Sequence, residues 1–190
     1  MIEDMLAFID TETGGLIPGK HGIVEIAAIL TNLDMKEISR FEAKTHVDRE
    51  VTPEAARING YSKEVWDKEA VPFSQFQQWL KKHIPFGHLA LPVGHNVSFD
   101  RDMIDLGYYK PTGMFCPLSY HKVDTVAFSV ALKAAGLVNV ENVKLTTMSK
   151  ALGIKHEAQH RAMSDCEVSM EIYRRFIEVL KGASASVIEA

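Results

Sequence analysis

The chain has 190 residues and a mass of 21.2 kDa, enough for one domain that closes a hydrophobic core without disulfides or a structural metal. Its formal net charge of −4 excludes the broadly basic surface of a strongly cationic nucleic-acid-binding domain, although it allows a local contact. Cys116 and Cys166 stand outside any C-x-x-C pair, and no run of about 18 apolar residues occurs. We therefore expect a soluble, cytoplasmic protein with no membrane partner.

The first half of the chain alternates apolar runs with turn residues, which is typical of strands. The run at 5–9 ends just before a loop marked by Gly and Pro, so Asp10 and Glu12 come at the carboxyl end of a predicted strand. A short helix is expected after the third strand, with Thr52 as its N-cap and Pro53 as its first residue. The strands predicted in this half form a meander and span residues 5–9, 23–31 and 37–47.

The second half of the chain is mainly helical in its apolar spacing. A short strand at 89–94 precedes a helix that we expect Ser98 to cap and that places Asp100 in its first turn. Residues 108–121 contain two prolines and no period, which predicts a loop or a short insertion. The helices predicted from spacing span residues 72–84, 98–106, 123–135, 146–152 and 162–180.

An early meander, followed by strands reached through helical crossovers, predicts an α/β fold with a mixed sheet. We expect one domain over residues 1–181 and a short, loose tail over residues 182–190, which are small and polar. Neither G-x-G-x-x-G nor G-x-x-x-x-G-K-[ST] occurs in the sequence. The main sequence support for a dinucleotide site or a P-loop is therefore missing.

Acidic residues recur at predicted strand ends and helix starts. Asp10 and Glu12, two residues apart, point to the same side of their strand, Asp100 begins one helix, and Asp165 follows His160 into the last helix. Taken singly, each acid is better explained as a solvated strand end or as an acid stabilised by a helix dipole than as a metal ligand. Together they form the oxygen-rich set that Mg²⁺ or Mn²⁺ prefers, and a pair of such ions suits phosphodiester hydrolysis with a histidine as proton acceptor.

Three segments, in a fixed order, carry a resemblance to a known family. FIDTETGG at 8–15, HNVSFD at 95–100 and HRAMSD at 160–165 closely resemble the three motifs of the DEDDh, or DnaQ-like, 3′→5′ exonucleases. This family includes the proofreading subunit of bacterial DNA polymerase III and ribonuclease T. TPEAARINGYS and VDTVAFSVAL extend the resemblance, which covers most of the chain. It implies a ribonuclease H-like fold, with a five-stranded mixed sheet and helices on both faces.

The resemblance implies metal-dependent 3′→5′ hydrolysis that releases nucleoside 5′-monophosphates. Asp10, Glu12, Asp100 and Asp165 would hold two Mg²⁺ or Mn²⁺ ions, and His160 would be the general base. The expected partner is nucleic acid with a free 3′ end. Single-stranded DNA is favoured and RNA stays open, because the choice depends on the fit around the 2′-hydroxyl. A non-catalytic nucleic-acid-binding domain of the same fold is the other hypothesis.

A second set of residues matches family positions that meet the terminal nucleotide. Leu16 would be an apolar wedge against the base, although core packing explains Leu16 and Phe99 equally well. Asn59 stands where family members often carry His, which leaves the sugar or base contact at that point open. No sliding-clamp peptide follows residue 180, so a stand-alone enzyme is expected rather than a polymerase subunit. The residues expected to meet the substrate are Thr13, Leu16, Glu54, Asn96 and Phe99.

Overall fold

A computed structural model describes residues 1–182 and has a five-stranded sheet at its centre. The strands are β1 (Ile2–Thr13), β2 (Ile23–Asn32), β3 (Glu37–Lys44), β4 (His88–Gly94) and β5 (Val123–Asp124). Their order across the sheet is β3-β2-β1-β4-β5. β2 pairs antiparallel with β1 and β3, whereas β4 runs parallel to β1 and β5, so the sheet is mixed as expected.

Seven α-helices flank the sheet within residues 1–182. They are α1 (Pro53–Asn59), α2 (Lys63–Glu69), α3 (Ser74–His83), α4 (Val97–Ile104), α5 (Thr125–Ala134), α6 (Leu145–Ala151) and α7 (Ala162–Gly182). No helix in this part of the chain is both long enough and apolar enough to cross a membrane. The tail predicted for residues 182–190 lies, beyond Gly182, outside the described residues.

The two faces of the sheet carry separate parts of the core, because strand side chains alternate. Met5, Ala7 and Ile9 of β1 pack in one buried cluster with residues of α3 and α4. Leu6 and Phe8 pack in another with the first turns of α7. Helices therefore cover both faces of a ribonuclease H-like sheet, and α7 lies on the face to which even-numbered β1 residues point.

The short helix α1 forms as its sequence predicts. The Thr52 hydroxyl accepts a hydrogen bond from the backbone N of Ala55 at 3.2 Å, and Pro53 occupies the first helical position. Gly60 ends the helix with φ of 71°, the left-handed conformation that favours glycine.

The start of α4 differs from the prediction that Ser98 is its cap. Asn96 holds the N-cap position with φ of 67°, and Ser98 lies inside the helix. The backbone N of Asn96 donates instead to Oδ1 of Asp124, at 2.9 Å. The same oxygen accepts from the backbone N of Val126 at 2.9 Å and so caps α5.

Three local features were not predicted. Val123 and Asp124 form the fifth strand rather than the start of a helix, paired with the end of β4. The helix α2 is anchored by Trp66, whose Nε1 donates to the carbonyl of Val24 at 2.6 Å. A π-helical turn at Asp105–Tyr109 continues α4 into the segment predicted as a loop.

Candidate active site

Asp10 and Glu12 lie near the carboxyl end of β1, on the face that α7 covers. They share the even-numbered register of Leu6 and Phe8, which pack against α7. Because β4 is parallel to β1, its carboxyl end reaches the same edge of the sheet, and α4 starts from there. The strand-end placement predicted for both acids is therefore confirmed.

Asp100 reaches this edge from the first turn of α4 and is 5% exposed. Its Oδ1 accepts two hydrogen bonds from Thr11, one from the backbone N at 2.8 Å and one from Oγ1 at 2.7 Å. Thr11 lies between Asp10 and Glu12 in β1. These two bonds therefore hold Asp100 at the strand end that carries the other two acids.

The third motif adds His160 and Asp165. His160 has φ of 59°, a left-handed backbone conformation uncommon for a residue other than glycine, just before α7 begins. Asp165 lies in the first turn of α7. A ligand atom from each of Glu12, His160 and Asp165 lies within 4.8 Å of the other two. These three side chains could therefore hold a metal ion.

The described residues compensate only part of the negative charge of the site. Within residues 1–182, no lysine or arginine forms an ion pair with Asp10, Glu12 or Asp100. Burial raises the pKa of Asp10 well above its usual range, and the charge of Asp100 raises it further. Burial, followed by the charge of Asp165, raises the pKa of Glu12 to about 7. Burial likewise raises the pKa of Asp100 to about 7. A divalent cation would relieve this cost.

Glu25, which the sequence analysis did not single out, is a fifth acid beside the site. It is 1% exposed in β2 and pairs with Glu12 across the β1–β2 ladder. Both carboxylate oxygens accept from Nε of Arg161 at 3.1 Å, and Oε1 accepts from the backbone N of Ala162 at 3.1 Å. Glu25 therefore ties the start of α7 to the sheet. Its position inside an apolar strand pattern gave no signal of this role.

His156 is a second histidine that sequence reasoning missed. Its Nε2 lies 2.5 Å from Oδ1 of Asp165, and its side chain is only 5% exposed. Its other ring nitrogen, Nδ1, is buried and has no partner among the described protein atoms. His156 lies outside the motif pattern, so only the fold could bring it to the site.

The residues expected to meet the substrate differ in their surroundings. Leu16 is 79% exposed on the loop after β1, which rules out core packing for it. Phe99, in contrast, is partly buried against the core. Glu54 and Asn96 are exposed, and Thr13 is buried with its hydroxyl donating to a backbone oxygen two residues on. Their contacts with a nucleotide stay predictions.

Asn59, the departure from the family pattern, has a structural contact. It is buried, and its Nδ2 donates to the carbonyl of Thr13 at 3.0 Å. Its Oδ1 accepts from the backbone N of Tyr61 at 3.1 Å. Asn59 therefore links α1 to the end of β1, where the acids lie.

The described part of the chain contains at least two cavities. One, of about 330 Å³, adjoins the acidic residues and is lined by Lys144, Leu145, Thr146, His156, Gln159, His160 and Asp165. The other, of about 390 Å³, lies against the 108–121 segment and contains none of the site acids. The first is the cavity relevant to the site, because it shares His160 and Asp165 with it.

The fold and the site together define a class of protein. The class is a ribonuclease H-like α/β protein with a metal-competent acidic cleft at the carboxyl end of its central strand. Comparison with known families is more specific, because the exonuclease family designated RNase_T matches residues 7–173. The chain therefore belongs to the exonuclease family.

Similar proteins differ in how much of their length the chain spans. The DNA polymerase III subunit epsilon of Treponema pallidum is 29% identical over 181 residues, which cover 93% of this chain and 79% of that protein. The PolC-type DNA polymerase III of Thermotoga petrophila is 25% identical over 173 residues, 91% of this chain but 12% of the polymerase. A zinc-bound E. coli exonuclease I complex with single-stranded DNA has a TM-score of 0.77 at 20% identity, covering 95% of this chain and 43% of that one. This last likeness concerns the fold alone.

Proposed function

We propose that the protein is a 3′→5′ exonuclease that hydrolyses phosphodiester bonds from a free 3′ end and releases nucleoside 5′-monophosphates. The observation that carries the proposal is the grouping of Glu12, His160 and Asp165, whose ligand atoms lie within 4.8 Å of one another, with Asp10 and Asp100 at the same end of β1. No basic side chain of the described residues pairs with Asp10, Glu12 or Asp100. Family membership supports the reaction. Single-stranded DNA is the favoured substrate, since a structural neighbour was solved with it, and RNA is the alternative.

The donor set fits a pair of divalent cations. Asp10, Glu12, Asp100 and Asp165 offer carboxylate oxygens, the ligands that Mg²⁺ and Mn²⁺ prefer. The raised pKa values of the first three carboxyls indicate that the protein alone does not stabilise their charged forms. When bound there, two ions would supply the positive charge that stabilises the attacking and leaving oxygens of an in-line displacement.

His160 would accept the proton of the attacking water. It is exposed on the turn before α7, and one of its ring nitrogens lies within 4.8 Å of carboxylate oxygens of Glu12 and Asp165. A neutral imidazole nitrogen can accept a proton, which suits a general base, and an exposed turn gives water access to the ring. His160 is thus proposed to move the proton while the carboxylates hold the metal.

The terminal nucleotide would lie against the loop that follows β1. Leu16 offers an exposed apolar side chain there, and stacking on it would be tolerant of base identity. Glu54 and Asn96 offer exposed polar groups, while Thr13 and Phe99 would shape the wall from more buried positions. We propose that this whole exonuclease domain is contained in residues 1–181.

The proposal is tested with a 5′-labelled single strand incubated with Mg²⁺, which should give a ladder that shortens from the 3′ end. Asp10→Asn should abolish the ladder, whereas Asp34→Asn, an exposed acid in the β2–β3 turn, should leave it unchanged. Matched DNA and RNA strands, single and double, would identify the substrate. If the strand binds but is never shortened with any divalent metal, the non-catalytic alternative is correct.

A further inference from the structure

The cavity of about 330 Å³ beside the acids is lined in part by Lys144 and by the first two residues of α6. All of its lining residues except Leu145 have polar side chains, with Lys144, Thr146, His156 and Gln159 in addition to the motif residues. None of these four belongs to the set that the motifs assign. The cavity is therefore an extension of the cleft: it shares His160 and Asp165 with the site, and its other polar side chains have no role in the proposed chemistry.

Lys144 is the cation of this cavity. Its side chain is exposed and forms no ion pair with a carboxylate of residues 1–182. Its backbone is nevertheless fixed, because its N donates to Oδ1 of Asn142 at 3.1 Å and its carbonyl accepts from the N of Met148 at 2.9 Å. The same Asn142 oxygen accepts from Oγ1 of Thr147 at 2.8 Å. Within the described part of the chain, Lys144 thus has an unpaired ammonium group on a backbone that hydrogen bonds hold in place.

Two other basic residues, in the segment that leads into α7, pair with carboxylates. Arg161 is held by Glu25, and Lys155 pairs with Glu157. At the cavity, His156 contacts Asp165 through Nε2, and its buried Nδ1 has no partner among the described protein atoms. A buried ring nitrogen without a hydrogen-bond partner lowers stability. A ligand or a water molecule in the cavity would supply the missing partner.

We propose that this cavity is a subsite for an internal phosphodiester of the bound strand, with Lys144 as its cation and the Gln159 amide as a neighbouring donor. The inference rests on the proposed function, since it concerns the strand behind the scissile bond. A polyanionic strand that enters a cleft of four carboxylates needs a cation outside the metal centre, and Lys144 is placed for it. Contact with phosphate makes the subsite independent of base sequence.

The test compares two substrates in the full chain. The p-nitrophenyl ester of thymidine 5′-monophosphate has a scissile phosphate and no further phosphodiester, whereas an oligonucleotide has both. Lys144→Ala is expected to lower kcat/KM about tenfold for the oligonucleotide, mainly through KM, and to change the ester reaction less than about twofold. The loss should be equal for oligo-dT and oligo-dA, and the slope of log KM against log salt should fall by about 0.7.

Matched variants complete the design. Lys150→Ala removes an exposed lysine from the last turn of α6, outside the cavity, and should behave as the unaltered chain. Lys144→Arg should restore most of the oligonucleotide rate, and Lys144→Glu should lower it beyond Lys144→Ala. Equal losses on both substrates, or an oligonucleotide rate no lower than that of Lys150→Ala, would overturn the subsite. Failure of the unaltered chain to cleave either substrate would instead overturn the proposed function.

Discussion

Glu12 and Glu25 face each other across the β1–β2 ladder, yet only Glu25 has a basic partner. Glu25 accepts from Arg161 and from the first backbone N of α7. Glu12 has a raised pKa, and its neighbours are His160 and Asp165. One carboxylate thus fixes the chain that bears His160, while its neighbour is left available for a metal.

Glu25→Ala is expected to lower the free energy of unfolding by about 1–3 kcal/mol, because it leaves the backbone N of Ala162 and the Arg161 guanidinium without their acceptor. Turnover should fall as well, since the start of α7 is no longer held. Glu25→Gln keeps an oxygen acceptor and should recover most of the stability. Urea unfolding with single-turnover rates checks both effects. An Ala variant as stable and active as the unaltered chain would show that Glu25 does not position α7.

Without divalent metal, stability is expected to fall as pH rises from about 5 to about 8. The pKa of Glu12 is about 7 in the folded chain against an ordinary 4.5, and that of Asp100 is about 7 against 3.8. Over this range the folded state binds more protons than the unfolded state, so the free energy of unfolding decreases with pH. Thermal melts in EDTA across the range measure the slope, and Glu12→Gln should flatten it. A slope of the opposite sign is incompatible with these raised pKa values.

Mn²⁺ is expected to raise the melting temperature, because it binds the folded cleft and relieves the repulsion there. The gain at a hundred times the dissociation constant is about 2.7 kcal/mol. It should be larger at pH 8 than at pH 6, since the ligands must lose their protons first. Asp165→Asn should weaken the stabilisation, and Asp34→Asn should retain it in full. A melting curve that Mn²⁺ does not move would falsify the metal site.

His160→Asn is expected to reduce kcat by about 10²–10⁴-fold, the usual contribution of a positioned general base. Stabilisation by Mn²⁺ should be largely preserved, since the proposed ligands are carboxylates. Rate measurements and metal titrations on the same preparation separate the two properties. Parallel loss of both would reassign His160 as a ligand, which its distance from Glu12 and Asp165 allows.

Leu16→Ala and Phe99→Ala are expected to affect different properties: substrate binding for Leu16 and stability for Phe99. Leu16 is exposed, so its truncation should leave stability within about 0.5 kcal/mol and raise KM for the strand. Phe99 packs partly against the core, so its truncation should cost about 1–3 kcal/mol. Melting curves and KM values for both variants distinguish the wedge from the packing residue. Destabilisation by Leu16→Ala would contradict the wedge.

The acids of the three motifs could be placed from sequence because two simple rules applied. Strand alternation put Asp10 and Glu12 on one side, and helix-start patterns put Asp100 and Asp165 in first turns. Both rules concern residues close together in the chain. The placement of these acids was therefore predicted correctly, although the cap of α4 and the strand at Val123–Asp124 were not.

Features that depend on distant contacts could not be predicted in the same way. Glu25 appears in an apolar strand run, and its role depends on a helix 137 residues later. His156 lies outside the motif pattern and reaches Asp165 only through the turn before α7. The strand at Val123–Asp124 is two residues long, and its neighbours continue a helical pattern, so tertiary pairing overrides the local signal.

The carboxylate of Asp124 has a consequence beyond its own helix. Its Oδ1 accepts a hydrogen bond from the backbone N of Asn96, the N-cap residue of α4. The same oxygen accepts from the backbone N of Val126 and caps α5. The starts of α4 and α5 are therefore held by the same carboxylate oxygen, which is not one of the proposed metal ligands. Loss of the Asp124 carboxylate is therefore expected to loosen the starts of both helices, including the one that carries Asp100, without altering any acid of the cleft.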